Sequence, residues 1–142
     1  MITRRLQELG TTFGAVTKLL EENPIGIVLL THSGKVVFAN RAVREKAELA
    51  DSFLLRQDRM EALRKSDDAL LQRLIKGASG QSDVSEPVRG GPMRLPRKAG
   101  LRDYAVMVAP LSVASEVTER RGAVACVLIT NPEAWELMVG ES

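Results

Sequence analysis

The sequence predicts an α+β domain: a five-stranded antiparallel sheet with helices on one face and an extra helix at the N-terminus. Three observations carry this. An apolar run, Ile25 to Leu30, and a β-branched and aromatic run, Val36 to Ala39, flank a short polar stretch containing Gly34. The last third holds three further β-prone runs separated by turn-forming residues. Between these two groups the apolar residues recur at helical spacing.

Residues 3 to 22 come first. Leu6, Leu9, Phe13, Val16 and Leu20 are spaced three, four, three and four apart, which puts them on one helical face. The stripe fits packing on the domain's own sheet. It fits equally a helix pairing with its twin in a homodimer, since the spacing averages the coiled-coil period. These five residues are therefore the dimer-interface candidates. Asn23-Pro24 ends the helix, because the proline biases the residue before it away from helical geometry.

The hairpin follows, with Gly34 supplying the positive φ that a tight turn needs. Asn40 stands where its side-chain oxygen can cap a helix beginning at Arg41 and running to about Leu49. Residues 51 to 65 are ambiguous: Phe53, Leu54 and Leu55 are apolar and the rest is charged. From 66 to 77 a helix is expected, with Ser66 as cap, Asp67 and Asp68 in the first turn, and Leu70, Leu71, Leu74 and Ile75 on its apolar face. Gly77 is placed to end it. Residues 78 to 92 read as a loop.

The closing strands are Met93 to Arg97, Asp103 to Leu111 and Gly122 to Thr130, with a turn at Lys98-Ala99-Gly100 and a polar loop over 112 to 121. Trp135, Leu137 and Met138 suggest the start of another helix. The first and last strands are apolar in both phases, so both faces of the sheet are expected to be covered. The organisation is an N-terminal amphipathic helix over 1–22, an α+β domain over 23–132, and the start of a C-terminal linker over 133–142.

Composition restricts function. The chain has 142 residues, 44% hydrophobic and 27% charged, which suits one globular domain. No apolar run approaches the ~20 residues of a membrane-spanning helix, so no membrane partner is expected. The N-terminus lacks the apolar core of a secretory signal, and the expected location is cytoplasmic. A net charge of +2 is too weak to argue for direct nucleic-acid binding.

Catalysis finds little support, and the chain reads as a non-enzyme. The one histidine, His32, falls in the hairpin turn, a poor place for an imidazole that must work in a cleft. Gly34-Lys35 lacks the upstream glycine of a phosphate-binding loop. Gly90-Gly91 reads as loop, and Asp67-Asp68 is explained by its helix start. One cysteine, Cys126, forms no intramolecular disulfide and holds no iron–sulfur cluster, so it reads as a small buried hydrophobe. The basic residues Arg89, Arg94, Arg97, Lys98 and Arg102 read as a solvated charged edge that protects a strand from mispairing.

The segments GIVLLTHSGKVVFANRA, LLQRLIKGASG, MRLPR, YAVMVAPL and ACVLITNPE, in this order, resemble a PAS-type sensor domain. More narrowly they are similar to the N-terminal half of bacterial LuxR-group transcriptional regulators. The resemblance spans roughly Leu20 to Asn131. It implies a PAS-like fold and a sensory and dimerisation role, with a small organic ligand held in a pocket. It also implies a signal passed to a helix-turn-helix DNA-binding domain that this chain does not contain, so DNA would be met only through that domain. Haem-holding members need an axial ligand from the pocket wall, and His32 is misplaced for it. Light-sensing flavin members need a cysteine beside the middle helices, and Cys126 lies on the last strand. No cofactor is therefore expected. The pocket candidates are Leu29, Phe38, Leu54, Leu70, Leu74, Tyr104, Met107, Cys126 and Leu128. The alternative reading is a ligand-free interaction and dimerisation module.

Overall fold

A computed structural model describes residues 14–80, 89–111 and 122–132 of the chain. Residues 14–22 are helical and are called α1. β1 (Gly26–Leu30) and β2 (Val36–Ala39) lead into α2 (Arg41–Leu49), followed by β3 (Phe53–Arg56), β4 (Arg59–Ala62) and α3 (Lys65–Ser79). β5 (Gly91–Leu95), β6 (Tyr104–Pro110) and β7 (Ala125–Thr130) close the described chain. The expected α+β architecture is present. Five strands form one antiparallel sheet in the order β2-β1-β7-β6-β5, and β3 and β4 pair separately.

The β1–β2 turn forms as the sequence predicts, with Gly34 at φ 83°. Asn40 caps α2 as expected, its side chain accepting the Val43 N–H. Other expectations need correction. The ambiguous stretch is a β-hairpin whose turn residues, Gln57 and Asp58, sit at φ 51° and 60°, the mirror-image turn that twists with its strands. Ser66 is not a cap: α3 starts one residue earlier, and Arg64 at the cap position makes no side-chain capping bond. Asp68 instead accepts the Ala62 N–H and one Gln72 N–H, fastening the helix to β4. Gly77 does not end α3 but is buried within it. The left-handed residue that ends the helix is Gly80, at φ 80°. The third sheet strand is Gly91–Leu95 rather than 93 to 97, and Lys98–Gly100 forms a single 3-10 turn.

The inner face of the sheet carries the main core. Val28, Leu30, Val106, Val108, Val127 and Ile129 meet Leu71, Leu74 and Ile75 of α3, Val43 of α2, and Phe53 and Met60 of the hairpin. At ~25 cal/mol per Å² of apolar area, each such fully buried side chain contributes roughly 1.5–3 kcal/mol. Among the described residues, the outer face is covered at one end only. There Ile27, Leu29 and Ala123 are buried with Leu20 of α1 and with Phe38, Cys126 and Leu128. Towards β6 and β5 it opens, and Met107 is 43% exposed. The expectation that both faces are covered therefore holds for β1, whose five residues are all buried, and fails for β6, where burial alternates. The expected loop over 112 to 121 and helix start after 132 lie outside the described residues.

Candidate functional site

Asn40 ties three elements together. It is completely buried. Its Oδ1 accepts the Ile27 N–H at 3.0 Å and the Val43 N–H at 3.2 Å. Its Nδ2 donates to the carbonyls of Leu20 at 2.8 Å and Ile25 at 2.9 Å, with a longer bond to Asn23 at 3.4 Å. An amide has two donor hydrogens and an acceptor oxygen, and here both ends are used. Arg44, one turn into α2, donates to the Ala39 carbonyl and pairs with Glu21 of α1 at 2.7 Å. The first turn of α2 is thus held against the end of α1 and the sheet.

The other end of α2 borders a pocket of about 580 Å³ lined by Lys46, Leu49, Arg97, Tyr104 and Asn131, with Glu45 and Glu48 also present. The Tyr104 ring is fully buried and meets Phe53 edge-on, with ring centres 6.3 Å apart. Arg97 lies over that ring at 4.4 Å and the Lys46 ammonium at 5.8 Å, both within cation–π reach. Arg97 Nε also donates to Asp51 Oδ2 at 3.0 Å, and the two side chains are only 8% and 12% exposed. Asp51 Oδ1 and Ser52 Oγ, beside this pair, are buried with no hydrogen-bond partner. Burial holds the Lys46 ammonium below its usual pKa, assisted by Arg97 and opposed by Glu45. Burial raises the Tyr104 phenol, with Asp51 adding to the rise and Arg97 opposing it.

The nine pocket candidates do not gather in one place. Leu74 and Tyr104 lie in the inner core. Leu29, Phe38, Cys126 and Leu128 pack in the outer cluster, and Met107 lines an outer groove, on the opposite side of the sheet from the helices. Leu54 is half-buried on β3, opposite Glu61. Leu70 is 42% exposed on α3. The inner face where the ligand pocket was expected is filled. Val28, Leu30, Phe53, Leu71, Val127 and Ile129 expose none of their surface, so no water-sized void adjoins them.

Of the dimer candidates, Leu20 packs against its own sheet and Val16 is exposed. Leu6, Leu9 and Phe13 lie outside the described residues. Arg89, Arg94, Lys98 and Arg102 are exposed as expected, Arg94 on the edge strand β5, whereas the Arg97 side chain is buried against Asp51. His32 is exposed as expected, and its Nδ1 meets the Ser79 carbonyl at 2.8 Å. Burial raises the Cys126 thiol pKa, with a backbone hydrogen bond from Ala109 opposing. The outer groove, about 520 Å³, runs along Ile25, Pro92, Arg94, Met107, Leu128 and Thr130. Among the described residues, no group of three or more His, Cys, Asp or Glu side chains could hold a metal ion, and no helix is long and apolar enough to cross a membrane.

No family model and no curated protein matches the chain. Among solved structures it is similar to the PAS domain of an HTR-like protein from Haloarcula marismortui, at 14% identity and a TM-score of 0.48, covering 89% of this chain and 96% of that one. It is also similar to the sensor region of a sensor histidine kinase, again at 14% identity and a TM-score of 0.48. That match covers 75% of this chain but 38% of the other, so the chain spans well under half of it.

Proposed function

We propose that this chain is a PAS-type sensory and dimerisation domain of a bacterial transcriptional regulator, one that detects rather than transforms. The observation that carries the reading is the Asn40 junction. The β1–β2–Asn–α2 segment that resembles PAS domains in sequence is also where one buried side chain joins the sheet, α2 and α1. A change in how α2 packs is then felt at α1, without any long relay. In energetic terms, a ligand that prefers one packing shifts the population towards it. The regulator context rests on the segment resemblance alone, and it implies that output reaches a helix-turn-helix domain in a longer protein.

A second reading, a ligand-free pairing module, is favoured by the filled inner face. Native mass spectrometry of the purified chain separates the two. A dimer with a discrete added mass supports the sensor, and an unliganded dimer supports the pairing module. A monomer without added mass at all accessible concentrations overturns both.

A further inference from the structure

The pocket at the end of α2 has a chemistry that the filled sheet interior lacks. Two cations converge on one aromatic ring there, Arg97 at 4.4 Å and Lys46 at 5.8 Å from the Tyr104 centre. Arg97 is matched by buried Asp51, 3.0 Å away. Lys46 is half-buried, and Arg97 repels its ammonium. Glu45 is the carboxylate that offsets it, and it lies on the exposed side of α2, where water weakens its pull. A volume of about 580 Å³ lies within the range of small-ligand sites, ~300–1,000 Å³.

We infer that this pocket binds a small organic carboxylate with a flat or apolar body, its carboxylate at Lys46 and its body against the exposed side chain of Leu49. This rests on the sensory reading, and it moves the ligand from the sheet interior to the end of α2. The charge pattern limits the ligand further. Glu45 and Glu48, exposed on the same helix, repel a multiply charged anion and tolerate the ammonium of an amino acid whose carboxylate is held at Lys46, while Lys46 and Arg97 disfavour a ligand that is a cation alone. Simple monocarboxylates and amino acids share the required chemistry. Occupancy bears on the last turn of α2, whose first turn is tied to α1 by Asn40 and Arg44.

The test is an NMR titration of the isotope-labelled chain with benzoate, phenylalanine and benzylamine, each to millimolar concentration. Benzoate or phenylalanine is expected to shift the amides of residues 45–49, Arg97 and Tyr104 saturably, and benzylamine is not. Lys46→Met, which keeps the apolar stem, should weaken binding at least about tenfold, as expected for loss of a charge-assisted contact. Lys46→Arg should retain binding and serves if the first variant unfolds. Tighter binding of phenylalanine than of benzoate identifies the amino-acid source, and the reverse identifies the simple acid. The inference falls if neither acid shifts these amides, if benzylamine shifts them equally, or if Lys46→Met binds as wild type. A ligand found by native mass spectrometry while this pocket stays silent would sink the inference and leave the sensor reading standing.

Discussion

Replacing Asn40 by alanine removes five hydrogen bonds from a site with no solvent exposure. It strands the N–H groups of Ile27 and Val43 and the carbonyl of Ile25, while the Leu20 carbonyl keeps the Asn23 N–H at 3.3 Å. Each buried group left unpaired costs ~1–3 kcal/mol, and loss of a helix cap alone costs ~0.5–2 kcal/mol. The groups share one small cavity, which water entering it would partly satisfy, so the terms do not add. We expect a net loss of about 3–5 kcal/mol, large for a single substitution. Urea unfolding followed by circular dichroism measures it as a fall in midpoint at constant slope. Asn40→Asp sharpens the test, because it keeps the acceptor for Ile27 and Val43 but turns an anion towards three carbonyls. Those carbonyls raise its folded pKa above the ordinary ~3.9. The aspartate variant should therefore be unstable at neutral pH and regain stability relative to alanine as pH falls through that raised pKa. A loss below ~1 kcal/mol for Asn40→Ala would refute the junction as the fold's main tie.

Arg97→Met leaves Asp51 buried without its partner and should cost about 3 kcal/mol in the same assay, while adding Asp51→Leu should recover most of it, as expected when a buried ion pair is replaced by apolar contact. Gly90→Ala should destabilise the β5–β6 pairing, since φ is 100° and an added Cβ would stand 2.3 Å from the Val108 carbonyl oxygen; amide exchange of β5 faster than that of β1 is the readout. Cys126 should react slowly with a thiol reagent in the folded chain and quickly in urea, because burial raises its pKa. By the same sign, its contribution to stability is present below the unfolded thiol's pKa and is lost as pH rises through the folded value.

What was legible in the chain was local. The turn at Gly34 and the cap that Asn40 places on Val43 are local and can be read from neighbours, whereas the bonds of Asn40 to Leu20, Ile25 and Ile27 are long-range and cannot. The β3–β4 turn escaped because Gln57-Asp58 lacks the glycine that usually signals a mirror-image turn. The division of the pocket candidates between the two faces has a different cause. Ile27 to Leu30 and Cys126 to Ile129 are apolar in both phases, so nothing in the text says which alternate residues face the helices. That choice is made by the side chains of α3 and the hairpin. The Arg97–Asp51 pair joins residues 46 positions apart, and Tyr104 meets Lys46 and Phe53 across a still longer span of chain. In the sequence alone, Arg97 is indistinguishable from its exposed basic neighbours.

The β3–β4 hairpin has one more consequence. Two strands alone are marginal in water; this pair packs Phe53 and Met60 into the core, bonds to α3 through Asp68 and Gln72, and is also joined to the first hairpin at its tip. The Asp58 carbonyl takes the Val36 N–H at 2.7 Å, Lys35 lies 3.8 Å from the Asp58 carboxylate, and Arg59 reaches the Ser33 carbonyl. Hairpin tips are ordinarily where a chain accepts inserted tags or loops. Here the tip is a joint between two turns, so lengthening it would pry the first hairpin and the second apart, and an engineer should look elsewhere for room.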